Sequence, residues 1–317
     1  MKIETITGNV KPLSRIVMGT MIIGLKNYEE SVSLLDAAMA LGINALDLAH
    51  VYGGGDSERA VGRWMAERGN REGVFIVTKG AHPNGDRARV TPYDITADLM
   101  DSLTRLKTDY VDAYFMHRDD TTQPVGPIMD GLHEHVLAGR IRSFGGSNWT
   151  HERIAEANAY AASKNQTLMM VSSPNYGLCE QVDDPWGPGC VSISGQAGAD
   201  ARAYYKESKV AVFAYSSLGR GLLSGRTTRE NYEEVLDGAA KKAYAYEVNF
   251  ARLDRARTLA EKKGCSVPQI SLAYILAQPF TVFPIVGAAS AKELEEAAAV
   301  PGIALTAQEC AWLENGE

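Results

Sequence analysis

Residues 74–117 read VFIVTKGAHPNGDRARVTPYDITADLMDSLTRLKTDYVDAYFMH, and the order of patterns within them decides the fold. VFIVTK (74–79) is a short β-branched and aromatic run, the composition of a buried strand. From Ile95 the period changes: Ile95, Leu99, Leu103 and Leu106 recur at three- and four-residue intervals, the spacing of a helix with one apolar face. YVDAYFMH (110–117) is again strand-like. Strand, helix, strand in this order is a crossover unit, and a crossover helix returns the chain to the same end of the sheet, so the two strands pair in parallel.

The same unit repeats along the chain. Strand-like runs lie at 15–19, 44–49, 74–79, 110–117, 141–147, 168–173, 210–216 and 281–287. Helical patterns occupy 29–42 and 95–106 and follow Ser57, His151, Val267 and Ser290. Several open with Ser or Thr as a cap. Eight strands alternating with helices close into a (β/α)₈ TIM barrel, an α/β fold expected here as a single domain over 1–317. An open doubly wound sheet is the competing architecture. It carries GxGxxG after its first strand, whereas the first strand here is followed by GTMIIG. The Gly8-Asn9 turn between two short apolar segments predicts an N-terminal β-hairpin ahead of the barrel. Two connections, 174–196 and 217–248, are longer than a crossover needs. Both leave the end of a strand where barrel enzymes build their sites.

Composition narrows the function. The chain has 317 residues and a formal net charge of −7, which disfavours nucleic-acid and anionic-membrane partners. No run of about 18 apolar residues appears. Four cysteines without CxxC spacing are expected as free thiols, and the compartment expected is cytoplasmic. His133-Glu134-His135 is no metal motif, because residues two apart on a helix face different ways; no metal site is expected.

The ends of the second, third and fourth strands carry Asp47, Lys79 and His117, with Tyr52 in the loop after the second. Neighbouring strands lie about 5 Å apart, so the four side chains can converge on one mouth. A tyrosine titrates near pH 10, and an adjacent ammonium lowers that value. A carboxylate keeps the lysine charged and aimed, while a histidine hydrogen-bonds the reacting oxygen. The set suits proton transfer to a carbonyl oxygen becoming an alkoxide. Two other readings stay open. Lys79 could form a Schiff base in an aldolase-like barrel, or the chain could be a regulatory subunit that binds cofactor and turns over little.

Asp47-Leu48-Ala49-His50-Val51-Tyr52-Gly53 resembles the DTAxxYG segment of the aldo-keto reductase superfamily. Val77-Thr78-Lys79, the YFMHRDD run at 114–120, GGSNWT at 145–150 and AYSSLGRGLLSGR at 214–226 resemble further segments of it, in the same order. The resemblance implies an oxidoreductase that moves hydride between a nicotinamide and a small-molecule carbonyl, with Tyr52 as general acid, Lys79 and Asp47 activating it and His117 orienting the carbonyl. It implies a cofactor site with Ser147 and Asn148 on the carboxamide and Tyr215 stacked on the ring. Gly19, Thr20, Ser216, Leu218, Arg220, Ser290, Lys292 and Glu296 complete that site. Ser173 stands where the family has a glutamine, with Asn175 as another candidate for the carboxamide. NADP(H) is favoured over NAD(H), by a margin that Ala289 narrows because the family usually has a basic residue there. Trp186 and Tyr176 are candidate substrate contacts. The polar loop residues Asp183, Asp184, Asn231 and Asn249 suggest a polar carbonyl compound, a sugar or keto-sugar.

Overall fold

The computed structural model describes residues 1–316; Glu317, the last residue of the expected domain, lies outside them. A short antiparallel hairpin, β1 (Ile3–Glu4) with β2 (Leu13–Ser14), precedes eight parallel strands. These are β3 (Val17–Gly19), β4 (Ala45–Asp47), β5 (Phe75–Gly80), β6 (Ala113–Met116), β7 (Phe144–Ser147), β8 (Val171–Ser173), β9 (Ala211–Ala214) and β10 (Val282–Val286). They form a closed barrel in sequence order, β10 pairing with β3. The chain is thus the expected (β/α)₈ barrel; seven strands lie inside the runs that predict them, and β5 extends one residue past its run, to Gly80. The hairpin's turn is broader than a two-residue one, with Gly8 at φ +83° within it. Ile6 and Leu13 pack into the barrel interior and close its lower end.

Around the strands lie α1 (Tyr28–Ala40), α2 (Asp56–Arg68), α3 (Pro92–Leu106), α4 (Val125–Leu137), α5 (His151–Ser163) and α6 (Ala199–Ser208), followed by α7 (Tyr232–Val235), α8 (Gly238–Tyr244), α9 (Glu247–Lys263), α10 (Val267–Leu276), α11 (Ala291–Ala299) and α12 (Ala307–Asn315). Thr91, Thr150 and Ser290 cap their helices as side-chain acceptors, and Ser266 forms a capping box with Gln269. Ser57 is no cap: α2 starts one residue earlier, and the Ser57 hydroxyl turns inward to Thr20 at 2.8 Å. The 217–248 connection is partly helical, with Asp237 capping the alanine- and lysine-rich α8. Among the described residues no helix is long and apolar enough to cross a membrane.

Alternation along the strands separates two cores. Val17, Ala45, Phe75, Val77, Ala113, Phe115, Val171, Phe213 and Phe283 fill the barrel. Met18, Leu46, Ile76, Tyr114 and Met116 face the helices. Gly145 permits close packing inside, since a Cβ there would lie 1.6 Å from the Val171 carbonyl oxygen. One step of two beyond the filled interior come Gly19, Asp47, Lys79, His117, Ser147, Ser173 and Tyr215. The period that buries the core therefore delivers polar side chains to the upper mouth.

Candidate active site

Lys79 is the centre of the site. Its ammonium lies 2.7 Å from Asp47 Oδ1, donates to the Leu48 carbonyl at 2.8 Å and to the Tyr52 hydroxyl at 3.2 Å. Tyr52 reaches it because Gly53, Gly54 and Gly55 all adopt positive φ, a left-handed turn that costs other residues far more. His117 stands on the next strand, its ring 6.0 Å from that of Tyr52 and nearly perpendicular to it. The four residues expected to converge do so.

Their protonation follows from burial. Burial alone would push the Lys79 ammonium down, but Asp47 and Tyr52 outweigh it and raise its pKa. Burial raises the Tyr52 phenol against the opposing pull of Lys79. The neighbouring ammonium by itself would lower the phenol, as expected from the sequence; desolvation reverses that sign, so the free site holds a neutral phenol. Burial also holds the His117 imidazole well below the ordinary histidine value, with Lys79, His82 and Arg118 adding to the effect. The imidazole is neutral at neutral pH.

Sequence reasoning missed His82, three residues beyond Lys79. Its ring packs edge-on to His117 at 4.9 Å. The only signal for it was its place in a loop leaving the same end of the barrel.

The expected cofactor residues divide into two groups. Ser147 donates to the Ser173 carbonyl at 3.0 Å, and the buried Ser173 hydroxyl has no partner among the described residues. Ser173 is therefore a ready donor for a carboxamide. Tyr215 packs at the top of the interior core. Asn148 is fully engaged: its oxygen accepts from Tyr215 Oη at 2.7 Å and from the Val191 N–H, and its nitrogen donates to the His117 carbonyl and to Ser147. Asn175 is engaged too, bound to Tyr244 Oη at 2.8 Å, the Tyr215 carbonyl and Ser192, and so braces its loop. Thr20 ties the end of β3 to the Asp47 carbonyl at 2.9 Å. Gly19 packs close to Ile285 and Val286.

After β9, Ser216 and Arg220 take positive φ, and Leu218 packs on the outer core. Arg220 pairs with Asp237 at 2.7 Å and lies over the Trp186 ring at 4.9 Å. At α11, Ser290 accepts from the Glu293 N–H, while Glu293 accepts from the Ala289 N–H at 2.7 Å. Lys292 is exposed. Glu296 faces α10, where its side chain accepts from Ser266.

The two expected substrate contacts part company. Trp186 stands over the mouth with its ring 5.9 Å from Tyr215, 45% exposed. Tyr176 does not reach the mouth: it is fully buried against Tyr274 and Phe280. The polar residues that suggested a sugar are also spent internally. Asn249 bridges both backbone groups of Glu180, Asp183 meets Lys242, Asp184 accepts from the Cys190 N–H and Asn231 from the Thr228 N–H. Cys179, Cys190, Cys265 and Cys310 are free. His133 meets Thr167 and His135 meets Thr96, in separate directions.

The sequence model of the Aldo/keto reductase family matches residues 15–315. The chain is 30% identical over 319 residues to the aldo-keto reductase YhdN of Bacillus subtilis, covering 93% of this chain and 87% of that protein. It is 28% identical over 284 residues to the aldo-keto reductase yakc [NADP(+)] of Schizosaccharomyces pombe, covering 86% and 78%. Among solved structures, a thermostable aldo-keto reductase, Tm1743, in complex with the inhibitor epalrestat shares the fold with a TM-score of 0.75. That match covers 99% of each chain at 24% identity.

Proposed function

The chain belongs to the aldo/keto reductase family, and from that premise we propose that it interconverts a carbonyl compound and an alcohol with a nicotinamide cofactor, Tyr52 carrying the proton. The observation that carries this reading is the Tyr52 hydroxyl held 3.2 Å from the Lys79 ammonium. The nicotinamide, when bound, supplies or accepts the hydride. In the reducing direction the Tyr52 hydroxyl donates its proton to the carbonyl oxygen as charge develops there, and Lys79 stabilises the phenolate left behind. Asp47 keeps Lys79 cationic, and neutral His117 offers a hydrogen bond that steers the oxygen. In the oxidising direction the phenolate takes the alcohol proton back.

Lys79 as a Schiff-base nucleophile fits poorly. That chemistry needs an unprotonated amine, and here the ammonium donates two hydrogen bonds and lies 2.7 Å from the Asp47 carboxylate, while its pKa is raised.

Ser173 and Ser147 would hold the carboxamide, Tyr215 would stack on the ring, and the turn at 216–220 with the start of α11 would take the phosphates. NADP(H) is inferred in preference to NAD(H), following the relative named for NADP(+). Lys292 is the cation at hand, but it is exposed and Glu293 stands beside it, so the preference is small, within about tenfold.

Titration with NADPH and NADH, then turnover on a panel of carbonyl compounds, tests the reading. Tyr52→Phe should bind cofactor normally and lose hydride transfer; undiminished transfer would overturn the proposed role. Tight cofactor binding without turnover on any carbonyl would point to a regulatory subunit, and borohydride trapping of substrate on Lys79 to a Schiff base.

A further inference from the structure

The run Arg118-Asp119-Asp120 follows His117 directly, and its three charges do not point the same way. Asp119 is drawn to Arg153 of α5 at 3.3 Å. Asp120 accepts from the backbone and hydroxyl of Thr122 and so closes its own turn. Arg118 is left without either. Among the described residues no carboxylate oxygen lies within 4.0 Å of its guanidinium, and its side-chain hydrogen bond is a long one, from Nη2 to Cys190 Sγ at 3.8 Å. Asp184, on the loop that carries Cys190, is held by Gln181 and by the Cys190 N–H.

From the position after His117 the guanidinium reaches Cys190, on the loop that carries Trp186, whose ring stands 5.9 Å from that of Tyr215. Burial is the largest influence on the titration of Tyr52, His82, His117, Cys190 and Tyr215, and the charge of Arg118 is a smaller influence common to all five. These groups come from the ends of four strands and from the 174–195 loop, and they face one opening. Arg220, the other arginine near Trp186, differs because Asp237 neutralises it. A partly buried arginine with no anion beside it has lost some hydration and gained no partner. Its planar fork of donors matches a carboxylate or phosphate, and a positive mouth on a chain of net charge −7 focuses anions toward itself.

We propose that Arg118 is the substrate-recognition residue of this site and that its carbonyl substrate is an anion, bearing a carboxylate or a phosphate close to the reacting carbon. This rests on the oxidoreductase reading above. The contact with Cys190 supplies the geometry: His117 meets the carbonyl oxygen, and the Arg118 guanidinium, held toward the loop that carries Trp186, meets the charged end of the same small molecule. Trp186 stands beside the opening on the loop that carries Cys190, its ring 5.9 Å from that of Tyr215. The polar carbonyl compound suggested by the loop residues is thereby narrowed to one that carries a negative charge.

The test compares three aldehydes of similar size, one ending in a carboxylate, one in a phosphate ester and one in a neutral amide or alcohol, with the full chain and saturating cofactor. The parent should favour an anionic member by about 10- to 150-fold in kcat/KM, the range expected for hydrogen bonds to a charged group. Which anion leads tells carboxylate from phosphate. Arg118→Met should collapse that ratio, mostly through KM, and Arg118→Lys should restore part of it, while cofactor Kd by fluorescence titration stays within twofold. Equal turnover of neutral and anionic aldehydes by the parent would overturn the anion proposal and leave the oxidoreductase reading standing. A rise in cofactor Kd in Arg118→Met would assign the arginine to the cofactor and equally overturn it. Failure to turn over any aldehyde would remove the reading on which it rests.

Discussion

Lys79 Nζ lies 3.2 Å from Tyr52 Oη, yet the phenol is more basic than a free tyrosine. Burial of the ring outweighs the neighbouring charge. The resting site therefore stores a proton on Tyr52, with the cation in place to receive the phenolate once that proton leaves.

The two directions of reaction should accordingly differ in pH dependence. Reduction needs the phenol, so its single-turnover rate should stay level from about pH 6 to about pH 9; oxidation needs the phenolate and should rise through that range. Lys79→Met removes the charge that lowers the phenol, so oxidation should suffer more than reduction and its alkaline limb should move further up. Rapid-mixing rates in both directions across the pH range are the measurement. Parallel profiles would count against Tyr52 as the shared proton carrier.

His117 should leave a mark on stability. Its native imidazole takes a proton only well below the ordinary value of 6.5, because burial and then Lys79 disfavour the cation. As pH falls below that ordinary value the unfolded chain binds the proton first, so this contribution is complete above it and is lost on the way down. His117→Asn deletes the contribution. Between about pH 7 and about pH 5 its Tm should fall less than that of the parent chain. Thermal denaturation at stepped pH checks this, and equal slopes would mean that His117 is not the titrating group.

The barrel and the convergence of Asp47, Tyr52, Lys79 and His117 were legible because both are local. A period of two over Phe75-Ile76-Val77-Thr78-Lys79 places Lys79 on the same side as the interior Phe75 and Val77, and the same count works for Phe115 and His117. What stayed hidden depends on distant partners. Nothing near Tyr176 shows that its ring will meet Tyr274 and Phe280, about 100 residues further along. Arg118 reads as one charge in a solvated turn until Arg153 is seen to take Asp119 away. The sign of the Tyr52 shift also needed three dimensions, since spacing shows which charges are near but not how little water reaches them.

Asn175 was a candidate for the carboxamide, and the structure instead makes it the pin of its loop. Its amide joins Tyr244, the Tyr215 carbonyl and Ser192. Asn175→Ala should cost about 1–3 kcal/mol by leaving buried groups without partners. Protease cutting within 183–190 should become faster. Denaturant melts and limited proteolysis read the two effects. An unchanged melt would mean that the three contacts are not formed together.

Ser173 gives the opposite expectation. Its hydroxyl is buried and has no partner among the described residues, while its backbone carbonyl serves Ser147 and the Asn148 N–H. Truncation to alanine removes an unsatisfied polar group and spares the backbone, so stability should be unchanged or slightly raised. If that hydroxyl waits for the nicotinamide carboxamide, the same change should weaken cofactor binding about 5- to 10-fold, the worth of one neutral hydrogen bond. Ser147→Ala should differ, because that hydroxyl already holds β7 to β8 and its loss touches stability as well. Fluorescence titration with cofactor, alongside thermal melts of both variants, separates the cases. A stable Ser173→Ala protein with parental cofactor affinity would remove Ser173 from the cofactor site.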